Sequence, residues 1–250
     1  MSQHINKLMK IPFKKRKIKF RKSVKVCTKR QSITKEMKGY FLPKDTRPGR
    51  VLCNSKVHKT NNRLRVIING RHGATENIAE FVENELSENV SNLASFIKDS
   101  TDFLNKINYI PQPLPYNTIM FRLDVKALYP SVPREEAKRA CRKALDKRTN
   151  HNLPTDDALI LIDIVLENNI FSFNNNHYVQ TEGTAIGSKL GMNYACTYLD
   201  EWERELFQHS DQHPLSYWRY VDDVWGLWIH VRIAYTTMEV LQMVCTQELN

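Results

Sequence analysis

Two adjacent aspartates, Asp222 and Asp223, lie between short runs of aromatic and β-branched residues near the C-terminal end of the sequence. Burying two neighbouring carboxylates in such surroundings costs free energy unless a cation neutralises them. A hairpin tip that presents both carboxylates to divalent metal ions avoids this cost. The alternative is an ordinary solvent-facing turn, because aspartate is common in turns.

A third carboxylate, Asp124, ends another apolar, strand-like segment at residues 119–125. If the two segments are neighbours in one sheet, the three carboxylates converge at the ends of their strands. Magnesium prefers oxygen ligands, so three aspartates suit two Mg2+ ions about 3.5–4 Å apart, with Mn2+ as an alternative metal. One ion would lower the pKa of an attacking hydroxyl and the other would stabilise a leaving pyrophosphate, which is the chemistry of nucleotidyl transfer.

Apolar periodicity and turn residues predict the elements that must position these acids. Residues 75–106 have the pattern of one or two amphipathic helices. The other predicted elements are two short strands at 56–59 and 63–68, a strand at 119–125, helices at 133–147, 155–167 and 188–207, a hairpin at 170–180, and strands at 217–221 and 224–229. Because strands and helices are interleaved without a regular β-α-β repeat, the predicted fold class is α+β.

Positive charge is concentrated in the first 65 residues. This segment holds 21 of the 37 Lys and Arg residues but only two of the 27 acids, whereas the remainder carries more acids than bases. A cationic arm joined to an acidic body is expected when the arm neutralises phosphates and the body binds cations. A solvated tail without a partner is the alternative. We divide the chain into a basic, flexible arm at 1–39, a second region at 40–118 and a third at 119–250.

Composition also indicates where the protein acts. No run of about 18 apolar residues is present, and lysines occupy the N-terminal segment where a signal peptide would need apolar residues, so we expect an intracellular protein that does not enter a membrane. The five cysteines are scattered and lack a C-x-x-C pair, which favours reduced thiols. Residues 14–17, Lys-Lys-Arg-Lys, resemble a nuclear-import signal, although basic tetrads also arise in RNA-binding arms.

Four segments together resemble the reverse transcriptases of Penelope-like retroelements, which are related to telomerases. Residues 220–223, Tyr-Val-Asp-Asp, resemble the Y-x-D-D box, and residues 124–133 are similar to the first palm motif, D-V-x-x-L-[FY]-x-x-[IV]-P. Residues 182–188, Glu-Gly-Thr-Ala-Ile-Gly-Ser, resemble the motif G-T-A-[MI]-G-S. Residues 56–59 and 64–67 resemble the fingers segments K-x-H-K and L-R-P-I. A lone Y-x-D-D box is a weak signal, but four motifs in the family's order are a specific one.

The resemblance implies an RNA-directed DNA polymerase that adds deoxynucleotides to a primer 3′-hydroxyl by two-metal phosphoryl transfer. Asp124, Asp222 and Asp223 would be the catalytic residues and metal ligands, and the carbonyl of Val125 would be an additional ligand. The implied partners are an RNA template, a DNA primer and deoxynucleoside triphosphates. The fold would be a right-hand polymerase, with fingers at 40–118 and, at 119–250, a palm whose antiparallel sheet packs on helices.

The resemblance also assigns residues to the substrate. Tyr129 would be the steric gate against a 2′-hydroxyl, and an ordinary core aromatic is the alternative. Lys56 and Arg65 would hold the incoming triphosphate, and surface cations are the alternative. Three residues would let the backbone approach the nucleotide and template, unless they form a plain turn and helix cap: Gly183, Gly187 and Ser188.

The sequence departs from the family pattern in three respects. Lys189 replaces the proline that follows Gly-Ser, and Val66 replaces the proline that follows the fingers arginine. Only 27 residues follow Asp223, so we expect the chain to lack a thumb. A catalytically inactive RNA-binding remnant is therefore the alternative function. A viral RNA-dependent RNA polymerase shares the palm chemistry, but Tyr129 and Val221 argue against it.

Overall fold

Helices and strands alternate along the part of the chain that the computed structural model describes, which is residues 8–10, 20, 24–25, 32–55, 64–149, 151–210 and 212–229. The helices in these residues are α1 Lys35–Phe41, α2 Glu76–Ser91, α3 Ser100–Asn108, α4 Leu128–Ser131, α5 Arg134–Lys147, α6 Thr155–Glu167 and α7 Gly191–Gln208. The strands are β1 Leu8–Lys10, β2 Gly49–Ser55, β3 Leu64–Asn69, β4 Thr118–Asp124, β5 Ile170–Phe173, β6 Asn176–Gln180, β7 Ser216–Tyr220 and β8 Asp223–Ile229.

Strands β4, β8 and β7 form an antiparallel sheet in that order. The β4–β8 register runs from Thr118 opposite Ile229 to Asp124 opposite Asp223. Successive side chains of a strand alternate between faces, so one face of this sheet is apolar and packs on α7. The side chains in this contact are Phe121, Val224 and Trp228 of the sheet and Trp202 and Leu206 of α7.

The opposite face of this sheet is partly covered by α3. Trp218 of β7 and Trp225 of β8 stack with ring centroids 5.1 Å apart. Phe103 of α3 contacts Trp225 edge-on, with centroids 5.4 Å apart. At the other end of the same face Asp124 is exposed, as is Tyr220 of β7. The sheet therefore leaves the ends of β4 and β7 open to solvent.

A second sheet has the strand order β1-β6-β5-β2-β3. β2 and β3 form an antiparallel hairpin, and β2 also runs parallel to β5. Sequence analysis placed the first strand of this hairpin at 56–59, which lies outside the described residues, whereas the structure places it at Gly49–Ser55. Pro48 and Gly49 suggested a loop, but Gly49 pairs with Phe171 of β5, a long-range contact that local turn residues cannot indicate.

The largest apolar core lies among α2, α5, α6 and α7. Helix α6 is buried over most of its surface, as expected for a helix whose apolar residues continue around its circumference. Leu161 and Ile162 of α6 and Tyr194 of α7 are fully buried in this core. Together with the two sheets, these helices confirm the predicted α+β class, with an antiparallel sheet packed on helices.

The predicted helices after residue 74 are present, with shifted ends. The pattern at 75–106 is divided between α2 and α3. The long helix predicted from Ser188 begins instead at Gly191, because the amide of Ser188 donates to the Ala185 carbonyl at 3.2 Å and that of Gly191 donates to the Ser188 carbonyl at 3.1 Å, which makes turns. None of the helices that the structure describes has the length and apolar character needed to cross a membrane.

Parts of the basic segment take part in this fold. β1 pairs antiparallel with β6, and Phe20, Val24 and Ile33 are buried in the main core. The side-chain oxygen of Thr34 caps α1 by accepting a hydrogen bond from the amide of Met37 at 3.2 Å. These contacts differ from the expected flexible arm, because the few apolar residues of this segment have no regular spacing and find their partners in distant parts of the chain.

The packing of β8 leads to a test of the three-stranded sheet. A Cβ atom on Gly226 would lie 2.3 Å from the Phe121 ring and 2.5 Å from the Ser216 carbonyl oxygen. We expect Gly226→Ala to lower the free energy of unfolding by about 1–3 kcal/mol, measured by urea denaturation. Gly39→Ala in α1 is the matched control, because no atom lies within 4 Å of its added methyl group, and it should raise stability by about 0.5–1 kcal/mol. Equal effects would contradict this packing.

Candidate active site

The connection between β7 and β8 holds the adjacent aspartates at its tip. Tyr220 pairs with Asp223, so Val221 and Asp222 alone make the turn. Val221 has a φ of 56°, in the left-handed region. A β-branched residue rarely adopts this conformation, which costs about 1–3 kcal/mol and persists only where the surrounding structure enforces it. We call residues 220–223 the aspartate turn.

The end of β4 lies directly beside the aspartate turn. Asp124 is the register partner of Asp223. The amide of Val125 donates a hydrogen bond to the carbonyl oxygen of Asp222 at 2.9 Å. The sheet thus brings together three aspartates from two segments that are far apart in the sequence, with the backbone of Val125 next to them.

Asp223 has a cationic neighbour that sequence analysis did not single out. Arg122 precedes Asp124 by two residues on β4, so the two side chains share a face of the sheet. The Arg122 guanidinium donates to the Asp223 carboxylate at 2.7 Å, and this hydrogen bond raises the pKa of Arg122. The side chains are 74% and 48% exposed, so water screens the ion pair and it adds little stability. The period of two along β4 could have identified Arg122.

The donor atoms at this site suit magnesium in type but do not form a closed cage. They are all oxygens, from three carboxylates and the Val125 carbonyl. Within the residues that the structure describes, no three His, Cys, Asp or Glu side chains are grouped so that they could hold a metal ion. Magnesium is commonly bound by one or two carboxylates together with phosphate and water oxygens, so an open donor set is compatible with it.

Tyr129 lies in α4, shortly after the end of β4. Its side chain is half-buried, and a Cβ atom on Gly191 at the start of α7 would lie 3.2 Å from its Cε1 atom. Its carbonyl oxygen accepts a hydrogen bond from the amide of Thr184 at 2.8 Å. Tyr129 therefore connects the segment that follows Asp124 to residues 182–188, which we call the glycine segment.

Both glycines of the glycine segment are required by contacts within the chain. Gly183 has a φ of 60°, and a Cβ atom there would lie 2.4 Å from the Tyr129 carbonyl oxygen. Gly187 has a φ of 99°, and its Cβ atom would lie 2.5 Å from the carbonyl oxygen of Ile68 in β3. The amide of Ile68 in turn donates to the carbonyl of Ile186 at 3.0 Å. The close approaches at these glycines are thus to α4 and β3.

Arg134 holds the glycine segment from the side of α5, and sequence analysis missed it. Its guanidinium donates to the carbonyl oxygens of Gly183 at 3.0 Å, Gln180 at 2.9 Å and Leu166 at 3.1 Å. Burial lowers the pKa of Arg134, while neighbouring tyrosine and acidic groups oppose this effect. The only sequence signal was its position directly after the proline that ends the 124–133 motif.

Lys189 accounts for one departure from the family pattern. Its ammonium group lies 2.9 Å from a carboxylate oxygen of Glu80 and 3.9 Å from one of Glu76, both in α2. The lysine that stands where proline was expected therefore ties the start of α7 to α2. Ser188 beside it is half-buried, and its amide makes the turn to Ala185 described above.

The two predicted triphosphate ligands are only partly covered by the structure. Lys56 lies outside the described residues. The backbone of Arg65 lies in β3, where it pairs with Asn54 of β2. The side chain of Arg65 lies outside the part of the chain that the structure describes, so its predicted role stays a prediction.

Comparison with known proteins relates the fold to one class of enzyme. No protein-family model matches the chain, and no curated protein matches it by sequence. The chain is similar to telomerase from Candida albicans in complex with a fragment of telomeric RNA, with a TM-score of 0.63 over 96% of this chain and 13% identity. It is also similar to apo telomerase from Candida tropicalis, with a TM-score of 0.59 over 79% of this chain and 9% identity.

A form of the Candida tropicalis telomerase that is truncated from its C-terminal domain gives a TM-score of 0.56 over 79% of this chain, at 12% identity. The chain spans 41% of the first two telomerase chains and 46% of the third. At such low identity the similarity establishes the fold alone. The chain has a telomerase-related reverse-transcriptase fold.

Proposed function

We propose that this chain carries the catalytic centre of an RNA-directed DNA polymerase, of the kind encoded by Penelope-like retroelements. The observation that carries the proposal is the register of β4 with β8, which makes Asp124 the partner of Asp223, with the hydrogen bond from Val125 to Asp222. In a chain with a telomerase-related fold, this arrangement of carboxylates supports two-metal phosphoryl transfer to a primer 3′-hydroxyl.

The proposed metals are two Mg2+ ions, with Mn2+ as an alternative. Asp124, Asp222 and Asp223 would hold them, with the Val125 carbonyl as a further ligand. Such ions would activate the attacking hydroxyl and stabilise the leaving pyrophosphate. Arg122 is an exposed partner of Asp223 in a screened ion pair, so a metal ion could replace it at little cost in free energy.

The protein's own contribution would be positioning. Lys56 and Arg65 would bind the triphosphate, and Tyr129 would lie beneath the sugar as a steric gate. Gly183, Gly187 and Ser188 would lie against the nucleotide and template in addition to their contacts within the chain. No covalent intermediate is needed, because phosphoryl transfer depends mainly on orientation and on stabilisation of charge.

The proposed macromolecular partners are an RNA template and a DNA primer. The Candida albicans telomerase to which the chain is similar was solved with telomeric RNA, which supports an RNA partner here. The first 65 residues carry most of the Lys and Arg residues, which can neutralise phosphates. Residues 40–118 would form the fingers and residues from 119 onward the palm.

Primer extension tests the catalytic assignment. We expect Asp124→Asn and Asp222→Asn to reduce deoxynucleotide incorporation on an RNA template with Mg2+ by about a thousandfold or more, because each removes a metal ligand. Asp146→Asn is the matched control, since Asp146 is an exposed aspartate of α5 away from the aspartate turn, and it should keep wild-type activity.

RNA binding, measured by fluorescence anisotropy, should be unchanged in all three variants and would show that they remain folded. A wild-type chain that binds RNA but incorporates no nucleotide with Mg2+ or Mn2+ would refute the polymerase assignment. The catalytically inactive RNA-binding remnant would then be the correct function.

Sugar selection tests the role of Tyr129. We expect Tyr129→Val to increase the incorporation of ribonucleotides relative to deoxynucleotides by about tenfold or more, which corresponds to about 1.4 kcal/mol of lost discrimination. Tyr129→Phe keeps the ring and should keep the discrimination. The ratio of kcat/KM values for the two nucleotides is the measurement. Unchanged ratios in both variants would make Tyr129 a packing residue, and a wild-type preference for ribonucleotides would indicate an RNA polymerase.

A further inference from the structure

A buried ion pair lies directly behind the aspartate turn. Arg219 of β7 is 3% exposed and Glu203 of α7 is 5% exposed, and the Arg219 guanidinium donates two hydrogen bonds to the Glu203 carboxylate. Burial lowers the pKa of Arg219, but the charge of Glu203 and its hydrogen bonds raise it further, so both groups stay ionised. A buried charge pair of this kind is stable only when the remaining donors and acceptors are also satisfied.

The remaining polar atoms of this pair have partners. Glu203 also accepts hydrogen bonds from the hydroxyls of Ser95 at 2.9 Å and Tyr217 at 3.0 Å. The backbone of Arg219 is held by residues 95–97, because its amide donates to the Ser95 carbonyl at 2.6 Å and its carbonyl accepts from the Ile97 amide at 3.0 Å. Arg219 is therefore fixed by both its backbone and its side chain.

The free end of the guanidinium reaches the aspartate turn. Nη1 of Arg219 donates to the carbonyl oxygen of Val221 at 3.1 Å. That carbonyl and the amide of Asp222 belong to one planar peptide unit, so holding the oxygen fixes the plane on the N-terminal side of Asp222. The hydrogen bond from Val125 fixes the carbonyl on its C-terminal side. Both peptide units that flank Asp222 are therefore held.

We propose that the Arg219–Glu203 pair positions Asp222 by holding the Val221 carbonyl, and so sets the metal affinity of the site without itself contacting metal or substrate. This inference rests on the proposed function of the aspartates. It explains how Val221 stays in a strained conformation that an isolated turn would leave. Groups that orient metal ligands from behind commonly change metal affinity or activity by about 10–100-fold when they are substituted.

A second buried ion pair provides a matched control. Arg148 and Glu85 have side chains that are 2% and 4% exposed, with a nitrogen–oxygen distance of 3.1 Å. The guanidinium of Arg148 donates to the Leu153 carbonyl, and Glu85 accepts from the side-chain amide of Asn152 at 3.0 Å. This pair joins α2 to the end of α5 and makes none of these bonds to the aspartate turn.

The test compares Arg219→Lys with Arg148→Lys. Each variant keeps the positive charge but loses the planar fork that donates to two partners at once. We expect Arg219→Lys to weaken Mn2+ binding, measured as free Mn2+ by electron paramagnetic resonance without nucleotide, by about tenfold or more. The kcat for primer extension should fall by a similar factor with the KM for deoxynucleotide little changed. Arg148→Lys should leave both quantities within about twofold of wild type, even where it lowers Tm equally.

A second variant guards against loss of folding. Arg219→Met with Glu203→Gln removes both charges, so no buried charge is left without a partner, but it also removes the donor to Val221. Weakened Mn2+ binding in this variant, with Tm near that of wild type, supports the proposal. Wild-type Mn2+ affinity and kcat in either Arg219 variant overturn it.

Wild-type behaviour separates this inference from the function on which it rests. If wild type binds Mn2+ and extends primers, if Asp222→Asn abolishes both, and if Arg219→Lys matches wild type, the positioning role alone is wrong. If wild type neither binds Mn2+ nor incorporates nucleotides, the proposed function fails and the positioning role fails with it.

Discussion

The antiparallel pairing of β4 with β8 decides which side chains stand beside Asp124. Shifting this pairing by one residue would move every side chain of β4 to the other face of the sheet, which would expose Phe121 and bury Arg122. The close fit of the Phe121 ring over Gly226 opposes such a shift, because any larger residue at position 226 would collide with it. The apolar face thus fixes the register, and the register places Asp124 opposite Asp223.

The motif segments are then connected to one another through backbone atoms. β3 is linked to the glycine segment by the hydrogen bond from Ile68 to Ile186, and the glycine segment is linked to α4 by the one from Thr184 to Tyr129. The segment before α4 is linked to the aspartate turn through Val125. Backbone links depend little on side-chain identity, which agrees with a common fold at 9–13% sequence identity. They also give the glycines a structural reason that is independent of any ligand.

Local patterns in the sequence predicted most elements after residue 74, because amphipathic helices and the short strands around the aspartates have a clear period. The ion pair of Arg219 with Glu203 could not be predicted in this way, since an isolated arginine within a strand pattern indicates neither its burial nor its partner. β2 was displaced in the prediction because its pairing with β5 joins residues more than 100 positions apart. The burial of Phe20 and Val24 escaped for the same reason: their partners lie in other segments.

Electrostatics explain why the site needs a cation. Like charges directly opposite on neighbouring strands destabilise a sheet, and Asp124 and Asp223 occupy such positions. Arg122, on the same face, supplies one compensating charge through its ion pair with Asp223. Both of these side chains are largely exposed, so this compensation is screened by water. A divalent ion has twice the charge of the guanidinium and can contact oxygens of more than one carboxylate, so the repulsion that the register creates favours the metal over the arginine.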